Sequence, residues 1–168
     1  MLQYFSYFHL HKHISIDIFV QMQKNMNNLG LAIAIASEAF KNKTDKGGEP
    51  YIMHCIRVMQ DTDTKDSRVK AAAILHDLLE DIKEWSYDSL LEAGINPYTA
   101  NLVALLTHDK KNMPYADYIR KISENNDARK IKLADLRDNS NITRLKGLSK
   151  KDFERMEKYH AAYTYLNF

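Results

Sequence analysis

Residues 71–81 read Ala-Ala-Ala-Ile-Leu-His-Asp-Leu-Leu-Glu-Asp. The run is rich in Ala and Leu, has no Gly or Pro, and favours helix. Its apolar side chains call for burial, yet His76, Asp77, Glu80 and Asp81 stand among them. Burying ionisable groups costs free energy unless they are paired or bound to a metal. In a continuous helix over residues 67–80, His76 shares a face with Glu80, and Asp77 shares the adjoining face with Asp81. Imidazole plus carboxylate is a ligand set for a divalent first-row metal. A solvated polar stripe on an ordinary helix is the other reading of the same residues.

The 168 residues suffice for one domain with its own core. Charged residues make up 27% and hydrophobic ones 45%, as in a folded protein. A formal net charge of +2 gives no strong electrostatic case for a nucleic-acid partner. Cys55 is the single cysteine, so no intrachain disulfide can form, and a reducing cytoplasm fits. No apolar run approaches the ~20 residues of a membrane helix.

Residues 1–28 differ from the rest. They are aromatic, with His9, His11 and His13 in alternation, and lack the basic start and small-residue cleavage site of a signal peptide. They are expected to be an extension outside the domain formed by residues 29–168. Beyond them the chain reads as helices over residues 29–41, 51–60, 67–80, 85–93, 97–107, 114–124, 128–139 and 149–166. Pro50, Pro97 and Pro114 suit helix starts, and Gly94 suits a helix end. No alternating run argues for a strand. The connections are short, so the expected fold is a single-domain, all-α helical bundle.

Two more polar residues sit on mostly apolar helices: His54 on the second and Asp135 on a late one. Each alone reads as a satisfied core group or a cap. Together with His76 and Asp77 they amount to two imidazoles and two carboxylates from three helices, a mixed set that suits manganese, iron or zinc. Glu80 and Asp81 lie one turn beyond His76 and Asp77. A carboxylate there can orient a water or shuttle its proton.

Three strings stand in order: Gly48-Glu49-Pro50-Tyr51-Ile52-Met53-His54, Leu75-His76-Asp77-Leu78-Leu79-Glu80-Asp81, and Lys132-Leu133-Ala134-Asp135-Leu136-Arg137-Asp138-Asn139. In this order they resemble the HD-domain metal phosphohydrolases, and most closely the hydrolase domain of the Rel/Spo alarmone enzymes and their small single-domain relatives. The resemblance spans about residues 29–168. It implies Mn2+ held by His54, His76, Asp77 and Asp135, with Glu80 and Asp81 as the catalytic acidic pair. It implies hydrolysis of a phosphorylated nucleotide, with the 3′-pyrophosphate of guanosine tetraphosphate (ppGpp) as the leading substrate. A phosphatase of another nucleotide, such as the 2′-phosphate of NADPH or a nucleoside monophosphate, and a non-catalytic nucleotide-sensing module are the competing readings.

Substrate contacts carry over onto Lys46, Asn139 and Tyr159. Arg144 joins them because a guanidinium suits phosphate oxygens. The family's Arg-Lys pair that packs on the purine is Asp45-Lys46 here, so the lysine is kept and the arginine is not. The arginine that usually follows the metal aspartate is Leu136, with Arg137 one step on.

Overall fold

The computed structural model describes residues 28–168. Its α-helices are α1 (Asn28–Ala39), α2 (Tyr51–Asp61), α3 (Ser67–Leu75), α4 (Leu78–Asp81), α5 (Tyr87–Glu92), α6 (Pro97–Leu106), α7 (Tyr115–Ser123), α8 (Asn126–Asn139) and α9 (Lys150–Asn167). One 3-10 turn, Ile142–Arg144, separates α8 from α9. There is no strand among the described residues, only an isolated bridge between Thr44 and Pro50. The chain is an all-α bundle, as the helical periodicity and short connections lead one to expect. The expected extension lies outside the described residues except for Asn28. That residue already belongs to α1, where its side chain accepts the Asn96 backbone N–H at 3.1 Å.

α3 is the centre of the bundle and packs against α1, α2, α6 and α8. Val69, Ala71, Ala72, Ala73, Ile74 and Leu75 are all fully buried. A stretch apolar on every face, as residues 71–75 are, has to be enclosed, and small Ala side chains let several neighbours approach closely. Asp66 caps it by accepting the Arg68 N–H at 2.8 Å. Truncating Leu75 to Ala should cost about 2–5 kcal/mol through lost burial and a cavity. α9 closes one side by packing on α7 and α8. No helix among the described residues is long and apolar enough to cross a membrane.

The single helix expected over residues 67–80 is interrupted. α3 ends at Leu75, His76 and Asp77 form a turn, and α4 begins at Leu78. Asp77 has φ −97° and ψ 0°, the bridge region between helix and strand. Neighbouring side chains on a regular helix diverge by about 100°. The turn instead brings His76 Nε2 within 2.9 Å of Asp77 Oδ2. Periodicity could not show this, because the four residues after the break resume helical bonding, with the Asp81 N–H on the Asp77 carbonyl at 3.0 Å.

Candidate metal centre

Three elements bring the predicted metal residues together: α2 supplies His54, the α3–α4 turn His76 and Asp77, and α8 Asp135. His54, His76 and Asp135 are 3%, 2% and 4% exposed. One donor atom from each of these three lies within 4.8 Å of the others. Asp77 adjoins them, its Oδ2 3.6 Å from His54 Nε2.

Both imidazoles are anchored through Nδ1. That of His76 donates to the Ala73 carbonyl at 2.8 Å, and that of His54 donates to Asp138 Oδ2 at 2.6 Å. Each Nε2 therefore points into the shared space, buried and without a well-aligned hydrogen-bond partner among the described residues, although Asp77 Oδ2 lies 2.9 Å from that of His76. Asp135 Oδ1 stands 3.4 Å from one Nε2 and 3.5 Å from the other without bonding either. Two orphaned nitrogens facing two carboxylates form a donor set that a divalent cation satisfies.

The carboxylates have supports of their own. The Tyr51 hydroxyl donates to Asp77 Oδ2 at 2.5 Å. Lys132 Nζ donates to Asp135 Oδ2 at 2.7 Å, and the Asn139 amide donates to Oδ1 at 2.6 Å. The electrostatics point the same way. Burial disfavours charge on His54, but the carboxylates of Asp135, Asp138 and Asp77 outweigh it and hold the pKa at about 11. For His76, Asp77 and Asp135 likewise overcome burial, raising it to about 9. Burial pushes Asp135 and Asp77 upward, yet Lys132 and the imidazoles hold Asp135 well below the usual carboxylate range, and the two imidazoles do the same for Asp77. The cluster draws positive charge, whether as protons or as an ion that replaces them.

A cavity of about 490 Å³ opens over this cluster. Its lining includes Glu80 and Asp81, and it includes the predicted substrate residues Lys46, Asn139, Arg144 and Tyr159. Glu80 is ion-paired to Lys110 at 2.5 Å and accepts the His108 backbone N–H at 3.2 Å. Asp81 pairs with Lys43, whose ammonium sits 3.8 Å from the Tyr51 ring centre. Lys158 also lines the cavity, over the rings of Tyr115 and Tyr159 at 4.6 and 5.4 Å.

Two predicted substrate residues have internal partners. Asn139 holds Asp135, and Arg144 spans Asp45 Oδ2 at 2.6 Å and the Asp138 carbonyl at 2.9 Å. Asp45, at the position where the resembled family has arginine, also accepts the N–H groups of Gly47 and Glu49 at 2.8 and 3.0 Å. It braces the loop that carries Lys46. Gly47 fits because a Cβ there would lie 2.7 Å from the Arg144 carbonyl oxygen. No role for Tyr51, Lys132, Asp138 or Lys158 follows from the sequence. Lys132 has a local signal, a lysine three residues before Asp135 and therefore on the same helical face.

The HD domain family matches residues 32–145. No curated protein sequence matches the chain. Among solved structures, a metazoan ortholog of SpoT, described as hydrolysing ppGpp and playing a role in starvation responses, superposes with a TM-score of 0.71. It is 21% identical, over 84% of this chain and 85% of that one. At that identity the likeness is one of fold.

Proposed function

The chain belongs to the HD domain family, and from that premise we propose that it is a Mn2+-dependent hydrolase of a phosphorylated nucleotide, acting in the cytoplasm. The substrate we propose is ppGpp, cleaved at its 3′-pyrophosphate to guanosine 5′-diphosphate and pyrophosphate. The observation that carries the reading is the pair of orphaned, buried Nε2 atoms facing two carboxylates beneath a cation-lined cavity. The metazoan protein of like fold, which hydrolyses ppGpp, supports the choice of substrate.

His54, His76, Asp77 and Asp135 would hold the ion. Bound there, a divalent ion supplies Lewis acidity toward a phosphoryl oxygen and makes water a better nucleophile near neutral pH. The chain's own groups do the rest. Glu80, fixed by Lys110 and the His108 N–H, takes the proton of the attacking water. Asp81, held by Lys43, stands beside it as a second proton carrier. Lys46 and Lys158, with no ion-pair partner among the described residues, attract the substrate's phosphates, and Tyr159 offers an aromatic face.

A second reading rests on Asp45. With its carboxylate committed to Arg144, the loop presents no guanidinium to a purine. A phosphatase of another nucleotide, such as NADPH at its 2′-phosphate, fits that loop as well. The test is incubation of the protein and Mn2+ with ppGpp, NADPH and nucleoside monophosphates, with product identification. Equimolar guanosine 5′-diphosphate and pyrophosphate supports the first reading. Inorganic phosphate from NADPH or a monophosphate, with ppGpp intact, selects the second. Binding of a nucleotide without turnover of any of them makes the domain a sensor.

A further inference from the structure

We propose that Asp138 is a positioning residue for the ion site: held as a carboxylate by Arg57 and Arg144, it fixes the His54 ring with Nε2 toward the cavity. The inference rests on the metal reading above and goes beyond it by giving a role to a residue outside the ligand set.

The geometry is reciprocal between two helices. On α2, Arg57 follows His54 by three residues and so shares its face. On α8, Asp138 follows Asp135 by three residues in the same way. His54 Nδ1 donates to Asp138 Oδ2 at 2.6 Å, while Arg57 Nε donates to Oδ1 at 2.6 Å and its Nη2 to Oδ2 at 3.2 Å. Arg144 Nη2 adds a third cationic contact, 3.1 Å from Oδ2. Asp138 is only 10% exposed. A buried carboxylate with two guanidiniums and an imidazole N–H around it stays ionised, and its pKa is held below the usual carboxylate range.

The two histidines differ in what lies behind them. His76 leans on a neutral carbonyl, that of Ala73, and His54 leans on an anion. An anionic acceptor at Nδ1 makes Nε2 the more basic donor and locks the ring's orientation. The same network reaches the cavity wall, because Arg144 Nη1 bonds Asp45, which braces the loop bearing Lys46. Arg144 thereby acts as a strut between the loop and the back of His54.

The test is equilibrium binding of Mn2+ to the full chain, read by the free-ion paramagnetic resonance signal. Asp138→Asn keeps the shape and an acceptor oxygen but loses the charge. Affinity should weaken about 10–100-fold. Unfolding temperature in chelator should shift by no more than about 2–4 °C, the effect of ~1 kcal/mol in a domain of this size. Unchanged Mn2+ affinity with a larger drop in that temperature would mark Asp138 as an interhelix clamp and overturn the proposal. If the unsubstituted protein binds no Mn2+, the metal reading itself fails, which is a separate result. If Asp138→Asn does not fold, nitrogen-15 resonances of His54 in the zinc-loaded, unsubstituted protein decide. Protonated Nδ1 with unprotonated Nε2 is expected, and the opposite tautomer overturns the inference.

Discussion

The two walls of the cavity hold their charges in opposite ways. On the α2–α3–α8 side, His54, His76, Asp77 and Asp135 are buried or nearly so, and each has a fixed partner behind it: Asp138, the Ala73 carbonyl, Tyr51 and Lys132. On the loop and α9 side, Lys46 and Lys158 are exposed and have no ion-pair partner among the described residues, and both border a neighbouring groove as well as the cavity. A rigid wall suits an ion, which demands fixed donors at short distance. A wall of long cationic chains suits phosphates, which lysine meets as a point charge. Glu80 and Asp81 stand between, each tied to a lysine that a phosphate could draw away.

The contrast predicts a graded series of losses. The largest is at the rigid wall. Asp135→Ala removes one ion donor and leaves Lys132 buried without its partner, and turnover should fall by more than ~10⁴-fold, the scale of several kcal/mol of transition-state stabilisation. A rate assay with Mn2+ present checks it, and turnover within tenfold of normal would dissolve the distinction between the walls. Next come the acids between them. Glu80→Gln should cost ~10²–10⁴-fold in kcat with ion content and KM little changed, as for loss of a general base. Asp81→Asn should cost less. A Glu80→Gln protein that has lost its metal would move Glu80 into the rigid wall.

Smaller still is the effect of pH on the ion-free protein. His54 and His76 have folded pKa values of about 11 and 9 against 6.5 unfolded. Their contribution to stability is whole below about pH 6.5 and is lost as pH rises through those values. Asp77 and Asp135 are lowered, so theirs is present above about pH 4 and lost in acid. In chelator, melting temperature should therefore fall from pH 6.5 toward 9. The gain on adding Mn2+ should grow over the same range, because the ion displaces protons. A chelated protein that grows more stable from pH 6.5 to 9 contradicts the charge assignment. The smallest loss belongs to the lysine wall. Lys46→Ala and Lys158→Ala should each raise KM by no more than about tenfold and leave kcat nearly intact, since a charge-assisted contact is worth about 1.5–3 kcal/mol before exposure discounts it. A large fall in kcat would show that these lysines act on the transition state.

The same division explains what could be read from the sequence. The rigid wall was legible because His76 and Asp77 interrupt an apolar run, and because the strings that carry His54, His76-Asp77 and Asp135 stand in the order of one family; all four residues converge in space. The break at His76-Asp77 was not legible, since Leu78 resumes the apolar pattern and no Gly or Pro marks the turn. Asp138 was hidden for a different reason. Its partner Arg57 lies 81 positions away on α2, and Arg144, in the 3-10 turn after α8, stands off the helix, so neither pairing leaves a helical spacing signal. Arg144 looked like a phosphate contact for want of that partner. The loop of Asp45 was ambiguous in sequence because its role depends on Arg144, 99 positions away.

The buried wall is expected to hold one divalent ion. Calorimetric titration of the metal-stripped protein with Mn2+, in parallel with Asp77→Ala and Asp135→Ala, decides it. One ion per chain in the unsubstituted protein, and no stoichiometric binding in either variant, is the expected result. Full binding in both variants, or none in the unsubstituted protein, would contradict it.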